Sequence, residues 1–103
     1  MAEELRRLAS SHSRLICVIG FAKEKNLDKI LPMLPTQAYY IFTQANISRA
    51  LPANELAEQA SAAGLNGEVV ASVADAVAKA QEIATDSDAI FIGGSNFVVA
   101  EVL

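Results

Sequence analysis

Apolar and polar positions fall in blocks along the chain, and each block has its own period. Ala2, Leu5, Leu8 and Ala9 share one stripe of a helix over residues 2 to 10, which Ser10-Ser11-His12-Ser13 interrupts. Leu15-Ile16-Cys17-Val18-Ile19 is an unbroken apolar run ending at Gly20. Such a run, rich in β-branched residues, predicts a strand covered on both faces. Leu27, Ile30, Leu31 and Leu34 return to helical spacing, but Pro32 holds that helix to a short piece ending by Leu31. Residues 38 to 43 predict a second strand and residues 44 to 51 a loop. Pro52 suits the first turn of the next helix, which carries Leu56, Ala57, Ala60 and Ala63 to a stop at Gly64. Glu68-Val69-Val70-Ala71 is a short third strand, and Ser72 can cap the helix after it. There Val73, Ala76, Val77, Ala80, Ile83 and Ala84 form a 3.6-residue stripe, with Asp75 and Lys79 facing outward. Asp86-Ser87-Asp88 reads as a polar turn before a fourth strand, Ala89-Ile90-Phe91-Ile92. Gly93-Gly94-Ser95 then leads into a last apolar helix from about Asn96 to Leu103.

Strands separated by helices pair in parallel through right-handed crossovers. The alternation therefore predicts an α/β fold: a three-layer Rossmann-like open sheet, mainly parallel, with helices on both faces. Placing the two most apolar strands in the middle gives the order third, second, first, fourth. The chain opens on a helix, whereas a doubly wound domain usually starts on a strand. Residues 1–103 are thus expected to be one domain cut from a longer protein.

Composition narrows the class. A length of 103 residues suits one domain. A hydrophobic content of 52% with 19% charged residues excludes intrinsic disorder. The balance of 8 basic against 12 acidic residues, net −4, argues against a nucleic-acid partner, which needs a basic face. One Cys excludes a disulfide framework and a cysteine-cluster metal site. No apolar run reaches the roughly 18 residues of a membrane span, and the first residues lack the apolar core of a signal peptide. A soluble, cytoplasmic protein with no membrane partner is expected.

In such a sheet ligands bind outside the carboxyl ends of the strands. The loops there are 20–26, 43–51, 71–72 and 93–96. Ser95 follows two glycines at the start of a helix, a position that suits either an anion site or a plain N-cap. Lys25, in Lys23-Glu24-Lys25, can reach a phosphate or carboxylate, although charged turns are commonly just solvated. Arg49 is the one arginine in these loops and suits bidentate anion binding or the pinning of a long loop. His12 falls on the opposite edge, and Cys17 lies inside a buried strand where it acts as a small apolar side chain. Gly-x-Ser-x-Gly and Gly-Lys-Ser/Thr are both absent, and no residue set suits catalysis or metal binding by this chain alone.

Four segments in order resemble a known family. They are Val18-Ile19-Gly20-Phe21-Ala22-Lys23-Glu24-Lys25-Asn26-Leu27, the stretch from Thr43 to Pro52, Ser72-Val73-Ala74-Asp75-Ala76, and Ile92-Gly93-Gly94-Ser95 through Val98-Val99-Ala100-Glu101-Val102-Leu103. Together they are similar to the C-terminal domain of bifunctional folylpolyglutamate synthase/dihydrofolate synthase, in the Mur ligase superfamily. That family usually has Asp-Lys-Asp where this chain has Glu24-Lys25-Asn26, so the lysine is kept and both acids change. The resemblance implies an ATP- and magnesium-dependent amide ligase that adds L-glutamate to a dihydropteroate or folate through an acyl phosphate. It implies an Asp-x-Ala-His-Asn-Pro motif on a strand just before the helix that opens this chain and, further upstream, a P-loop ATPase domain as partner. Ser95, Lys25 and Arg49 would then bind nucleotide or substrate, and the 103-residue chain alone would bind no cofactor tightly and be inactive. The rival reading is a free-standing Rossmann-like module that binds a small ligand or nucleotide without catalysis. A receiver-type module is excluded, because Gly20-Phe21 and Ala71-Ser72 stand where it needs clustered acids.

Overall fold

The computed structural model describes residues 2–11, 14–94 and 96–102. Its elements run α1 (Ala2–Ser11), β1 (Arg14–Ile19), α2 (Leu27–Ile30), a 3-10 turn (Leu31–Met33), β2 (Tyr39–Gln44), α3 (Ala53–Ala62), β3 (Asn66–Ser72), α4 (Val73–Ile83), β4 (Asp88–Gly93) and α5 (Asn96–Val102). The four strands form one parallel sheet in the order β3-β2-β1-β4. This is the expected order, with the most apolar strand inside.

Strand parity divides the core into two layers. Leu15, Cys17 and Ile19 of β1, with Tyr40 and Phe42 of β2, face α1, α2 and α3. Ile16 and Val18 of β1 and Ile41 of β2 face Ala76 and Ala80 of α4. The register Ile16↔Tyr39, Val18↔Ile41 and Ile16↔Ile90, Val18↔Ile92 aligns these rows across the sheet. Because β1 has helices on both sides, no residue from Leu15 to Ile19 is more than 1% exposed. That accounts for its continuous apolar run rather than an alternating one.

Local signals set the ends. Pro32 cannot donate a helical bond, so the chain tightens from α2 into the 3-10 turn, and Leu34 is extended before Pro35. Pro52 stands at the N-cap of α3, one place before its first turn, and Leu65 N–H returns to the Ala60 carbonyl at the far end. Ser72 caps α4 as expected, its Oγ accepting from Asp75 N–H at 3.4 Å. Asp88 is not part of a free turn. It opens β4, where its carboxylate accepts from Arg14 Nη2 at 3.0 Å, while Arg14 also donates to the Ile83 carbonyl at 2.6 Å. One side chain thereby joins the starts of β1 and β4 to the end of α4. None of the described helices is long and apolar enough to cross a membrane.

Candidate functional site

All four strands point the same way, so the loops after them share one edge. Backbone contact brings these ends together. Gly20 N–H donates to the Gly93 carbonyl at 3.3 Å. A Cβ on Gly20 would sit 2.7 Å from the Thr43 carbonyl oxygen, and one on Gly94 would sit 2.5 Å from the Gly20 carbonyl oxygen. Gly94 also has φ of +96°, a left-handed conformation that glycine adopts without strain. The ends of β1, β2 and β4 thus touch through main chain, and any side chain at Gly20 or Gly94, alanine included, would push them apart.

Above this junction the loops after β1 and β2 pair with one another. Lys23 N–H donates to the Arg49 carbonyl at 2.8 Å and Leu51 N–H donates to the Phe21 carbonyl at 2.9 Å, around an antiparallel Ala22↔Ala50 bridge. Phe21, Ala22 and Ala50 are buried beneath, and Lys23, Glu24, Lys25 and Arg49 are exposed above. Lys25 N–H closes the turn on the Ala22 carbonyl at 3.2 Å. Arg49 Nη2 donates to Glu24 Oε1 at 2.5 Å. A hydrogen bond from backbone and then the Arg49 guanidinium hold the Glu24 carboxyl below its ordinary range. Both side chains are more than half exposed, 65% and 54%, so water screens the pair and it adds little to stability.

The ladder places Lys25 and Arg49, from two different strand-end loops, in one exposed charged cluster. Ser95 lies outside the described residues, and so does His12. Cys17 is fully buried, and burial pushes its thiol up to about 12, so it is no nucleophile. Among the described residues no group of three or more His, Cys, Asp or Glu could hold a metal ion.

A second feature has no local sequence signal. Gln44, Ala45, Asn46, Ala71, Ser72 and Glu101 line an open cleft of about 410 Å³ beside the ends of β2 and β3. Gln44 Oε1 accepts from Ala53 N–H at 2.9 Å and so supplies the cap that Pro52 cannot. Buried Thr43 donates its hydroxyl to the Ala71 carbonyl at 2.9 Å, where the β2–β3 register shifts. Glu101 Oε2 accepts from Asn46 N–H at 2.5 Å, tying α5 to the loop after β2. The edge as a whole therefore combines exposed cations at one end with amide, hydroxyl and carboxylate groups at the other. That mixture suits holding a charged small molecule, and among the described residues it shows no paired nucleophile and base.

Comparison with known proteins gives one family match and a set of structural ones. The family model described as Mur ligase, glutamate ligase domain, matches residues 1–96. FolC of Escherichia coli, solved in complex with DHPP and ADP, superposes with a TM-score of 0.78 at 24% identity over 98% of this chain. The bifunctional folylpolyglutamate synthase/dihydrofolate synthase of Yersinia pestis, complexed with AMPPNP and manganese, gives 0.77 at 19% over 97%. The chain spans 23% of the length of each of these two proteins. No curated protein sequence matches it.

Proposed function

The chain belongs to the Mur ligase family, as its glutamate ligase domain, and from that premise we propose that it is the C-terminal domain of an ATP-dependent amide ligase adding L-glutamate to dihydropteroate or folates. In that reaction the acid's carboxylate takes the γ-phosphoryl group of ATP, and the resulting acyl phosphate is attacked by the amino group of L-glutamate. An amide forms, and phosphate leaves beside ADP. An upstream ATPase domain would hold ATP and start the chemistry. This domain would cover the cleft, complete the nucleotide site and help position the incoming amino acid.

The observation that supports this reading is the cationic cluster on the paired loops. Lys25 and Arg49 sit at the carboxyl edge of a parallel sheet, where an anionic phosphate or carboxylate would be received. Arg49 would exchange Glu24 for the ligand's oxygens, a swap of about 0–1 kcal/mol for an exposed pair. Ser95 would add a hydroxyl to the same group. Magnesium fits the phosphates and the upstream domain better than this one, given how its described acids are dispersed.

The test is glutamate incorporation with ATP, magnesium and a folate. The 103-residue chain alone is expected to be inactive. The longer enzyme containing it is expected to be active and to lose at least about tenfold in kcat/KM on Arg49→Ala or Lys25→Ala, with an unchanged melting temperature. Unchanged kinetics in both variants would overturn the assignment of these residues. Tight binding of a nucleotide or L-glutamate by the 103-residue chain alone would favour a free-standing binding module instead.

A further inference from the structure

Glu101 stands where its own helix does not favour it. It lies in the last turn of α5, which has no basic residue there. The carbonyl end of a helix repels a negative charge. The carboxylate is directed off the helix instead, where Oε2 accepts from Asn46 N–H at 2.5 Å, 55 positions away in sequence. One turn back on the same face of α5 is Val98, 1% exposed. It clusters with Ala45, Ala50 and Val73, and Ile47 packs against them. α5 thus carries the loop after β2 on two points, an apolar one at Val98 and a polar one at Glu101.

Two closed turns connect Asn46 to Arg49. Ile47 N–H donates to the Ala45 carbonyl at 2.8 Å, and Ala50 N–H donates to the Ile47 carbonyl at 3.2 Å. The first turn encloses Asn46 and the second encloses Arg49. Beyond them the Arg49 carbonyl accepts from Lys23 N–H at 2.8 Å, beside the Ala22↔Ala50 bridge. Ala45 and Ala50 are buried, whereas Asn46, Ser48 and Arg49 are exposed. The outer side of the loop is therefore held at Asn46 by the Glu101 carboxylate rather than by packing. An ionised acceptor makes the stronger kind of hydrogen bond.

We propose that Glu101 is a positioning residue for the cationic cluster: through Asn46 it fixes the turn that bears Arg49 and keeps the guanidinium beside the loop of Lys25. The inference rests on the ligase reading of that cluster and adds to it a residue from a third element. Glu101 acts through the loop's backbone and does not itself touch the ligand. It needs an acceptor oxygen rather than a charge, so Glu101→Gln should keep the clamp and Glu101→Ala should release it.

Two measurements test this. In the 103-residue chain, amide exchange reads the loop directly, with the β1 amides as internal reference. Glu101→Ala should speed exchange at Asn46, and also at Lys23, whose N–H reports whether Arg49 is still docked, by at least about fivefold. Glu101→Gln should stay within about twofold of the parent at both. In the longer enzyme, supplied with ATP, magnesium, L-glutamate and a folate, Glu101→Ala should lower kcat/KM by at least about fivefold, and Glu101→Gln by less than about twofold. On an Arg49→Ala background the loss from Glu101→Ala should shrink to under about twofold. Unchanged exchange in Glu101→Ala, or a change confined to Asn46, would overturn the proposal. So would a Glu101→Gln variant as impaired as Glu101→Ala, which would put the charge itself on the ligand, or a loss that persists in full without Arg49. If Lys23 exchange responds as expected while Arg49→Ala leaves the kinetics unchanged, the clamp on the loop stands and the ligase reading of the cluster falls.

Discussion

Cys17 shows how much one position can carry. Its place in an apolar run marked it as buried, and it has no exposed surface at all. With the thiol pushed up to about 12, thiolate is scarce at neutral pH and reagents must wait for unfolding. Labelling by a thiol reagent should therefore be slow in buffer and fast in denaturant, and comparing the two rates checks it. Asp88 was legible only as a polar turn residue, because its partner Arg14 lies 74 positions away. A hydrogen bond from Thr85 N–H and then the Arg14 guanidinium hold its carboxyl below the ordinary 3.8. A carboxylate depressed by folding stabilises the native state above its unfolded pKa, and that contribution fades as pH falls through the folded value. Asp88→Asn should accordingly lower the urea midpoint at pH 7, and the gap to the parent should narrow below about pH 3.5. A gap that stayed constant across that range would mean the carboxylate's charge plays no part.

Elements with a strong internal period were readable, and those made by contact were not. α4 announced itself by its stripe, and β1 by its unbroken apolar run. β3 runs from Asn66 to Ser72, beyond the apolar stretch read from the sequence, because pairing with β2 extends it through residues of low strand preference. The ladder between residues 21–23 and 49–51 has no period of its own. Three residues a side cannot alternate long enough to register, so Arg49 was placed in the correct loop and its Glu24 partner was missed. Gly20 shows the same limit from the other side. The sequence marks it as the end of a strand, while the structure makes it the point where three strand ends close on each other. Gly20→Ala should destabilise the domain by roughly 1–3 kcal/mol, since the facing Thr43 carbonyl is backbone and cannot swing aside. A chemical denaturation curve measures this, and a loss under about 0.5 kcal/mol would show that the junction is loose.

At the scale of the whole molecule, the strand order followed from burial: the most apolar strand must have neighbours on both sides, and β1 does. The charge distribution could not be read that way. A net charge of −4 hides a local cluster of Lys23, Lys25 and Arg49 on one edge, because summing over the chain discards where each charge sits. The paired loops beneath that cluster have a mechanical consequence. Two strands of backbone joined by hydrogen bonds and seated on buried Phe21, Ala22 and Ala50 form one stiff plate, not two independent fingers. Force applied to Arg49 would be carried into the turn that holds Lys25, and through it into β1 and β2 together. The two loops and the ends of β1 and β2 would then move as one piece.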